Sequence, residues 1–297
     1  MPLRRLRPFS SADRRHGVND QPLNHEPAQW VRFAPGKPVL KGVNWGGLRT
    51  LYIKEVRRFF KVQLQTVWAP AITTLLYLAI FTIALGRSGR TVMGVPFADF
   101  IAPGLIVMAM MQNAFANASF SLLVGKIQGN IVDYLMPPLS TGELMAGLIG
   151  AAVTRAFLVG CAVWVAMLIW PGVSVDVRHP GLVFWFGLMG ALLLAFLGLL
   201  TSVWAEKFDH AAAVTNFVVT PLSLLSGTFY SVEQLAPTFR TISHLNPFFY
   251  VISGFRAGFL GISDSPLLVG AIGLLVVNML LWALCFALLR AGWKIKN

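Results

Sequence analysis

The charged residues of this chain are spaced so unevenly that they leave long segments without any Lys, Arg, Asp or Glu. A membrane-spanning helix needs about 20 apolar residues, each rising about 1.5 Å. Six segments are long enough: residues 62–86, 100–125, 156–175, 180–205, 211–232 and 265–289. A seventh, 241–255, is shorter and carries His244, Asn246 and Pro247, so we expect it to be re-entrant or interfacial.

The fold class follows from what a bilayer permits. Only 12% of the residues are charged, against roughly 25% in a soluble domain. Hydrocarbon offers no partner for an open sheet edge, and the alternating strands of a membrane barrel are absent from the sequence. We therefore predict an all-α integral membrane protein with six transmembrane helices in one domain, residues 46–297.

The basic residues indicate how this domain is oriented. Thirteen of the 24 Lys and Arg precede residue 62, and basic residues beside the first span are retained in the cytoplasm. Following the spans alternately places 18 basic residues on the cytoplasmic side. The outer side receives five: Arg87, Arg90, Arg178, Arg240 and Arg256. The pattern predicts cytoplasmic termini, and it attributes the net charge of +12 to topology rather than to nucleic-acid binding.

Residues 1–45 are predicted to form a flexible cytosolic tail, because they are proline-rich and polar and carry no apolar run. A regulatory or docking role is the alternative. Residues 48–62 instead predict a basic amphipathic helix in the cytoplasmic interface, near anionic lipid headgroups. Its basic residues are Arg49, Lys54, Arg57, Arg58 and Lys61. Glu55 falls near the apolar face, where we expect it to pair with Arg58 one turn later.

The cytoplasmic loop 126–143 predicts a second, short amphipathic helix that ends at Pro137 and Pro138. Its apolar residues exceed what a solvated loop needs. They are Ile127, Ile131, Val132, Leu135 and Met136. Binding to a partner protein and lying on the membrane both explain them.

Two spans carry polar stripes. Asn113 and Asn117 lie on one face of the second span, and the fifth has Asn216, Thr220 and Ser223 at helical spacing. Such groups face other helices or a water-filled path rather than lipid, so interhelical hydrogen bonds and a substrate route both remain open.

Arg155 is the unusual residue of the third span. We expect it to reach the interface, to pair with an acid such as Glu143, or to face an aqueous cavity.

Several chemistries lack their motifs. No phosphate-binding loop occurs, so any ATP must be bound by another chain. None of the five histidines forms a metal-binding or catalytic motif, and Cys161 and Cys285 have no metal-ligand spacing. No acid lies at the midplane of a span, which argues against an ion-driven carrier. An ATP-independent carrier, or a lipid-modifying enzyme using a residue such as His244, remains the alternative.

Three groups of motifs carry a family resemblance. They are KEVRRF (54–59) with QTVWAP (65–70); PGLI (103–106) with the Asn113/Asn117 segment and KIQGNI (126–131); and LSGTFYS (225–231) with HLNP (244–247) and SGFR (253–256). Over residues 48–297 the chain resembles the permease subunits of the bacterial ABC-2 export family.

The resemblance implies a transport subunit of the bacterial cytoplasmic membrane, without catalytic residues, a metal or a cofactor of its own. Two permeases would pair as a homodimer of identical copies, and each would dock a cytosolic ATPase that holds ATP and Mg²⁺. The implied substrate is a drug, a lipid or a glycan. The implied architecture includes an outer helical hairpin before the last span.

The resemblance also assigns roles to residues. A coupling helix over about 126–139 would contact the ATPase through Lys126, Ile127, Asn130, Ile131, Tyr134 and Leu135. A connecting helix would include Lys54, Glu55, Arg57 and Arg58. The substrate path would run along Asn113, Asn117, Asn216, Thr220 and Ser223.

Overall fold

A computed structural model of the chain describes residues 42–85 and 91–294. The predicted tail therefore lies outside the described residues except for 42–45, as does part of the first outer loop. The described part is helical apart from one short hairpin, β1 (Thr91–Val92) and β2 (Val95–Pro96). Met93 and Gly94, with φ of 53° and 80°, form its two-residue turn.

The helices follow in chain order. They are α1 (Trp45–Phe60), α2 (Ala69–Leu85), α3 (Phe97–Ile127), α4 (Val132–Leu135), α5 (Thr141–Leu168), α6 (Pro180–Trp204), α7 (Phe208–Val214), α8 (Thr220–Leu224), α9 (Pro237–Leu245), α10 (Pro247–Leu260) and α11 (Leu267–Ala291). Two π-helical turns, Leu64–Trp68 and Thr215–Val219, lead into α2 and α8, and a 3-10 turn covers Val232–Gln234.

Five helices of the described part are long and apolar enough to cross a membrane. They are Leu64–Ala84, Phe97–Ile127, Thr141–Leu168, Pro180–Trp204 and Leu267–Ala291. These correspond to the first, second, third, fourth and sixth predicted spans. The fifth predicted span is a shorter helical segment, 208–224, built from α7, a π-helical turn and α8. A sixth crossing therefore stays a prediction.

The third span begins at Thr141, about four turns before the charge-free segment 156–175, so Arg155 lies inside the helix. The helix begins early because Ser140 and Glu143 form a reciprocal capping box at its N-terminus. It continues through Arg155 because that side chain finds a polar partner on α3.

The fifth segment ends at Leu224, and its predicted extension to 232 is wrong. Gly227, with a φ of 74°, turns the chain there. The amide of Asn246 donates to the carbonyl oxygen of Leu222 at 2.8 Å. Side chains of the outer segment thus satisfy carbonyl groups that the ended helix leaves free.

The long helix α3 lies at the centre of the domain and is buried along nearly its whole length. It packs against α5 and α6, and the approach of α6 is close enough that a Cβ on Gly198 would lie 2.5 Å from the carbonyl oxygen of Phe115. The helices α2 and α11 are mostly exposed and form the periphery.

Within the seventh apolar segment, Asn246 and Pro247 separate α9 from α10. The helix α10 is buried against α3, α6 and α11, whereas α9 is mostly exposed. The hairpin therefore inserts one arm into the bundle and leaves the other on its surface.

Candidate functional site

The predicted coupling helix is much shorter than the sequence suggested. The long helix α3 ends at Ile127, because Gly129 adopts a φ of 74° and the amide of Asn130 bonds the carbonyl oxygen of Gly125 at 2.9 Å. That pattern is a Schellman C-cap. Helix then resumes only over Val132–Leu135, so the predicted extent of 126–139 is wrong.

This segment nevertheless carries an exposed apolar surface. We call residues 127–136 the coupling segment. Its exposed apolar side chains are Ile127, Val132, Leu135 and Met136, of which Met136 is 77% exposed. Asn130 is exposed beside them, and Ile131 is half-buried. Exposed apolar residues in sequence succession are typical of a docking surface.

Lys126, by contrast, is engaged within the chain. Its Nζ lies 3.2, 2.7 and 2.6 Å from the carbonyl oxygens of Ser202, Val203 and Ala205. These are among the last carbonyl groups of α6, where a cation is stabilised by the helix dipole. The ammonium group therefore holds the end of α6 rather than presenting its charge at the surface.

Tyr134 also points inward and connects the coupling segment to α1. Its ring packs against Gly125 of α3, and its hydroxyl donates to Glu55 Oε1 at 3.1 Å. Burial raises the pKa of Tyr134 to about 12, so the hydroxyl stays protonated and remains a donor. The Nζ of Lys54 lies 3.8 Å from the centroid of the same ring.

The expected pair between Glu55 and Arg58 is confirmed, with Arg58 Nη2 2.9 Å from Glu55 Oε2. Glu55 is fully buried, and burial raises its pKa although Arg58 and Tyr134 act in the opposite direction. Arg58 also donates to the backbone and side-chain oxygens of Asn117, at 3.0 and 3.3 Å. Tyr134, Glu55, Arg58 and Asn117 thus form a continuous chain of contacts, here called the junction, from α4 through α1 to α3.

A second link joins the start of α1 to the same end of the domain. The backbone amide of Asn44 donates to Glu143 Oε1 at 2.6 Å, and its side-chain amide donates to the carbonyl oxygen of Pro138 at 3.2 Å. The other carboxylate oxygen of Glu143 accepts from the amide of Ser140 at 2.7 Å. Because Glu143 is occupied in this way, the suggested pair between Arg155 and Glu143 is wrong.

The polar stripe of the second span faces Arg155 and a groove. Arg155 Nη2 donates to Asn113 Oδ1 at 2.9 Å, and Asn113 Nδ2 donates back to the carbonyl oxygen of Ala109. Asn113 also lines a cavity of about 290 Å³ between the first span and α3. Its other lining residues include Gln65, Thr73, Thr74, Tyr77 and Gln112.

The polar stripe of the fifth segment has a different environment. Asn216 is exposed, Thr220 is half-buried, and the hydroxyl of Ser223 donates to the carbonyl oxygen of Val219 at 2.7 Å. Among the described residues, no hydrogen bond joins this stripe to Asn113 or Asn117.

Sequence reasoning missed that one charged residue of the outer segment is buried. Arg256, expected among the exposed outer charges, is 1% exposed. The PGLI and LSGTFYS motifs also meet, since a Cβ on Gly104 would lie 3.2 Å from the carbonyl oxygen of Thr228. The available signal was a single arginine in an otherwise apolar run.

The described part holds no group of three or more His, Cys, Asp or Glu side chains suited to a metal ion. His244, the residue considered for an enzyme, packs edge-on against the ring of Phe249, with centroids 5.1 Å apart.

Comparison with known proteins adds a family match. Residues 47–260 match the family model described as "ABC-2 type transporter". The chain is 39% identical over 254 residues to "Inner membrane transport permease YadH" of Escherichia coli (strain K12), covering 85% of this chain and 98% of the relative. It is 25% identical over 204 residues to "Nodulation protein J" of Rhizobium leguminosarum bv. viciae, covering 65% of this chain and 73% of that protein. The protein of that name from Neorhizobium galegae is 28% identical over 200 residues, with coverages of 66% and 73%.

Proposed function

The chain belongs to the ABC-2 type transporter family, and on that premise we propose that it is the permease subunit of an ATP-driven exporter in the bacterial cytoplasmic membrane. It crosses the membrane six times with both termini in the cytoplasm. A separate cytosolic ATPase binds ATP and Mg²⁺, and two permeases assemble with two ATPase subunits. The transported substrate is of the drug, lipid or glycan class.

The coupling segment is the observation that carries this proposal. Four exposed apolar side chains follow the cytoplasmic end of the second span: Ile127, Val132, Leu135 and Met136. Burying apolar surface against a partner contributes about 25 cal/mol per Å². Tyr134 attaches the segment to α1, and Asn44 holds Pro138 just after it, so a force applied to the segment reaches the spans.

The junction supplies the route for coupling. Closure of the ATPase pair favours one arrangement of the permeases by binding it more tightly than the other. Movement of Tyr134 is transmitted to Glu55 and Arg58 in α1, and from Arg58 to Asn117 in α3. Since α3 carries the stripe of Asn113 and Asn117, closure of the ATPase pair can change how far this stripe is exposed to the substrate path without contacting it directly.

We propose that a second copy of the chain supplies the partner of each stripe. The fifth segment exposes Asn216 and the ring of Phe217, which is 81% exposed. We place the permease–permease interface on this face. The stripe of one copy then lies opposite Asn113 and Asn117 of the other, with the substrate path between them.

The test is a mild-detergent pull-down of the tagged chain from its native membranes, with mass spectrometry of the co-eluting proteins. We expect a near-stoichiometric ATPase subunit that carries a phosphate-binding loop. The double variant Leu135→Glu with Met136→Glu places charges in the apolar contact and should lower ATPase recovery at least about tenfold. Trp293→Glu is the matched control, because Trp293 is an exposed apolar residue outside the coupling segment.

Recovery of the folded chain without any ATPase would contradict the proposal. Solute movement in liposomes by the chain alone would then support an ATP-independent carrier. Dependence of a lipid modification on a residue such as His244 would support the membrane enzyme.

A further inference from the structure

Lys126 directly precedes the coupling segment, and its donors are used within the chain. An ammonium group has three donors, and its nitrogen lies within 3.2 Å of three carbonyl oxygens, those of Ser202, Val203 and Ala205. Ala205 follows the last residue of α6, so these carbonyl groups belong to the end of that helix. The described contacts thus leave this side chain no donor for a partner protein.

The same side of α3 contacts the chain between α6 and α7 at two further points. We call residues 202–211 the corner. Leu123, one turn before the lysine, belongs to a small buried apolar cluster with Ala205 and Ala211. One turn earlier, the ring centroids of Phe120 and Phe208 are 5.8 Å apart. Steps of three residues keep these contacts and the ammonium group on one side of α3. The end of α3 is thus attached to the corner through one polar and two apolar contacts.

The corner is continuous with the fifth segment. The chain leaves α6 at Ala205, which is extended with a ψ of 143°, and helix begins again at Phe208. From there, helical turns continue to Leu224 and carry the polar stripe of the fifth segment. The coupling segment begins directly after Lys126, so both segments are attached to the last turn of α3.

We propose that Lys126 is a positioning residue, which makes the fifth segment move with the coupling segment when the ATPase closes. The junction connects the coupling segment to α1 and α3, whereas this route reaches the second polar stripe through the corner. Coupling between distant sites needs contiguous contacts, and hydrogen bonds from a charged donor are stronger than neutral ones. The inference rests on the proposed permease function, and it replaces the expected contact between Lys126 and the ATPase.

The test measures hydrogen exchange by mass spectrometry on the permease purified with its ATPase, with and without a non-hydrolysable ATP analogue. In wild type, the analogue should change the exchange rates of residues 127–136 and 208–224 by at least about fivefold, the lower end of typical coupling between sites. Lys126→Met keeps an unbranched side chain but loses every donor, so only residues 127–136 should still respond. An unchanged response of residues 208–224 in this variant would overturn the inference.

Two further variants distinguish positioning from a loss of charge. Lys126→Arg retains donors for the same carbonyl oxygens and should restore the response of residues 208–224. Lys207→Met removes an exposed cation from the same corner, and both segments should respond as in wild type. If Lys207→Met abolished the response of residues 208–224 as fully as Lys126→Met, the specific role of Lys126 would be overturned.

A variant of the apolar contact covers the case in which Lys126→Met does not fold. Phe208→Ala removes the ring contact with Phe120 at an exposed position and leaves the hydrogen bonds of Lys126 in place. The response of residues 208–224 should fall by at least about twofold, as for substitutions along a coupling network. Phe239→Ala, at an exposed phenylalanine of α9, is the matched control. Equal responses in the two variants would overturn the route through this side of α3.

ATPase recovery is recorded for every sample. Loss of the ATPase from wild type contradicts the permease function, whereas normal recovery with an unresponsive fifth segment contradicts only this inference. Recovery that is lost in Lys126→Met but kept in Lys207→Met would show that Lys126 contacts the ATPase after all, and it would overturn the positioning role.

Discussion

The guanidinium of Arg256 donates a 2.7 Å hydrogen bond to Asp264, and both side chains are only 1% exposed. Arg256 also donates to the carbonyl oxygens of Gly227 and Phe100, at 2.7 and 3.2 Å. The second carboxylate oxygen of Asp264 accepts from the hydroxyl of Ser231 at 2.7 Å. The pair therefore ties α10 to the start of α3 and to the turn that follows the fifth segment.

Removing the acid from this pair should destabilise the outer half of the domain. Asp264→Asn leaves Arg256 charged and buried, which costs about 3–5 kcal/mol in comparable buried pairs. We expect a clearly lower midpoint in fluorescence-monitored thermal unfolding of the purified complex. Asp176→Asn, at an exposed aspartate of the outer side, should leave the midpoint unchanged. Equal midpoints for the two variants would show that the pair is not needed for stability.

Tyr134→Phe should weaken coupling without releasing the ATPase. The substitution keeps the ring that packs on α3 and against Lys54, but it removes the hydrogen bond to Glu55, worth about 1 kcal/mol. We expect normal ATPase recovery and less substrate moved per ATP hydrolysed. Tyr52→Phe is the matched control, because its hydroxyl contacts Thr154 on α5 and lies outside the junction.

A double-mutant cycle tests whether the junction acts as a unit. If the hydrogen bond between Tyr134 and Glu55 causes the loss of coupling, Tyr134→Phe adds little to a protein that already contains Glu55→Met, which has no oxygen to accept that bond. If the losses of coupling were fully additive, Tyr134 and Glu55 would act on coupling independently of each other.

Glu55 should make stability depend on pH. Because burial raises its pKa, the folded protein keeps this proton at pH values where the unfolded chain has lost it. Stability is thus fully present below the ordinary pKa of glutamate and falls as pH rises through the raised value, by about 1.4 kcal/mol per unit of difference. Glu55→Gln does not titrate, so the midpoint of wild type should fall relative to that of the variant as pH rises. A relative gain by wild type would mean that Arg58 lowers the pKa instead.

The helical bundle and the surface helix were predictable because they depend on local patterns. Charge-free segments located five helices of spanning length, and the 48–62 periodicity placed α1 within a few residues of Trp45–Phe60. The Glu55–Arg58 pair followed from helical spacing alone. These features need no knowledge of which elements meet in space.

Two of the errors concern arginines that are satisfied by distant partners. Arg155 was expected to reach the interface, to pair with an acid or to face an aqueous cavity, but it donates to the neutral Asn113, 42 residues away. Arg256 looked like a surface charge, but its acceptor at Phe100 lies 156 residues away. Neither acceptor can be identified from spacing, so the buried polar contacts of the candidate site required the structure.

Phe217 provides a test of how two copies assemble. Its ring is 81% exposed within one chain, and Asn216 beside it is also exposed, so we expect this face to meet its equivalent in the second copy.

In a chain in which Cys161 and Cys285 are replaced, Phe217→Cys should form a covalent dimer with a short bis-maleimide in native membranes. Met279→Cys, at a 60% exposed position of α11, should stay monomeric because we expect that face to contact lipid. The reverse pattern would place the last span, and not the fifth segment, at the interface between the copies. Addition of a non-hydrolysable ATP analogue should change the yield of the Phe217→Cys dimer, because nucleotide binding shifts the pair between two arrangements.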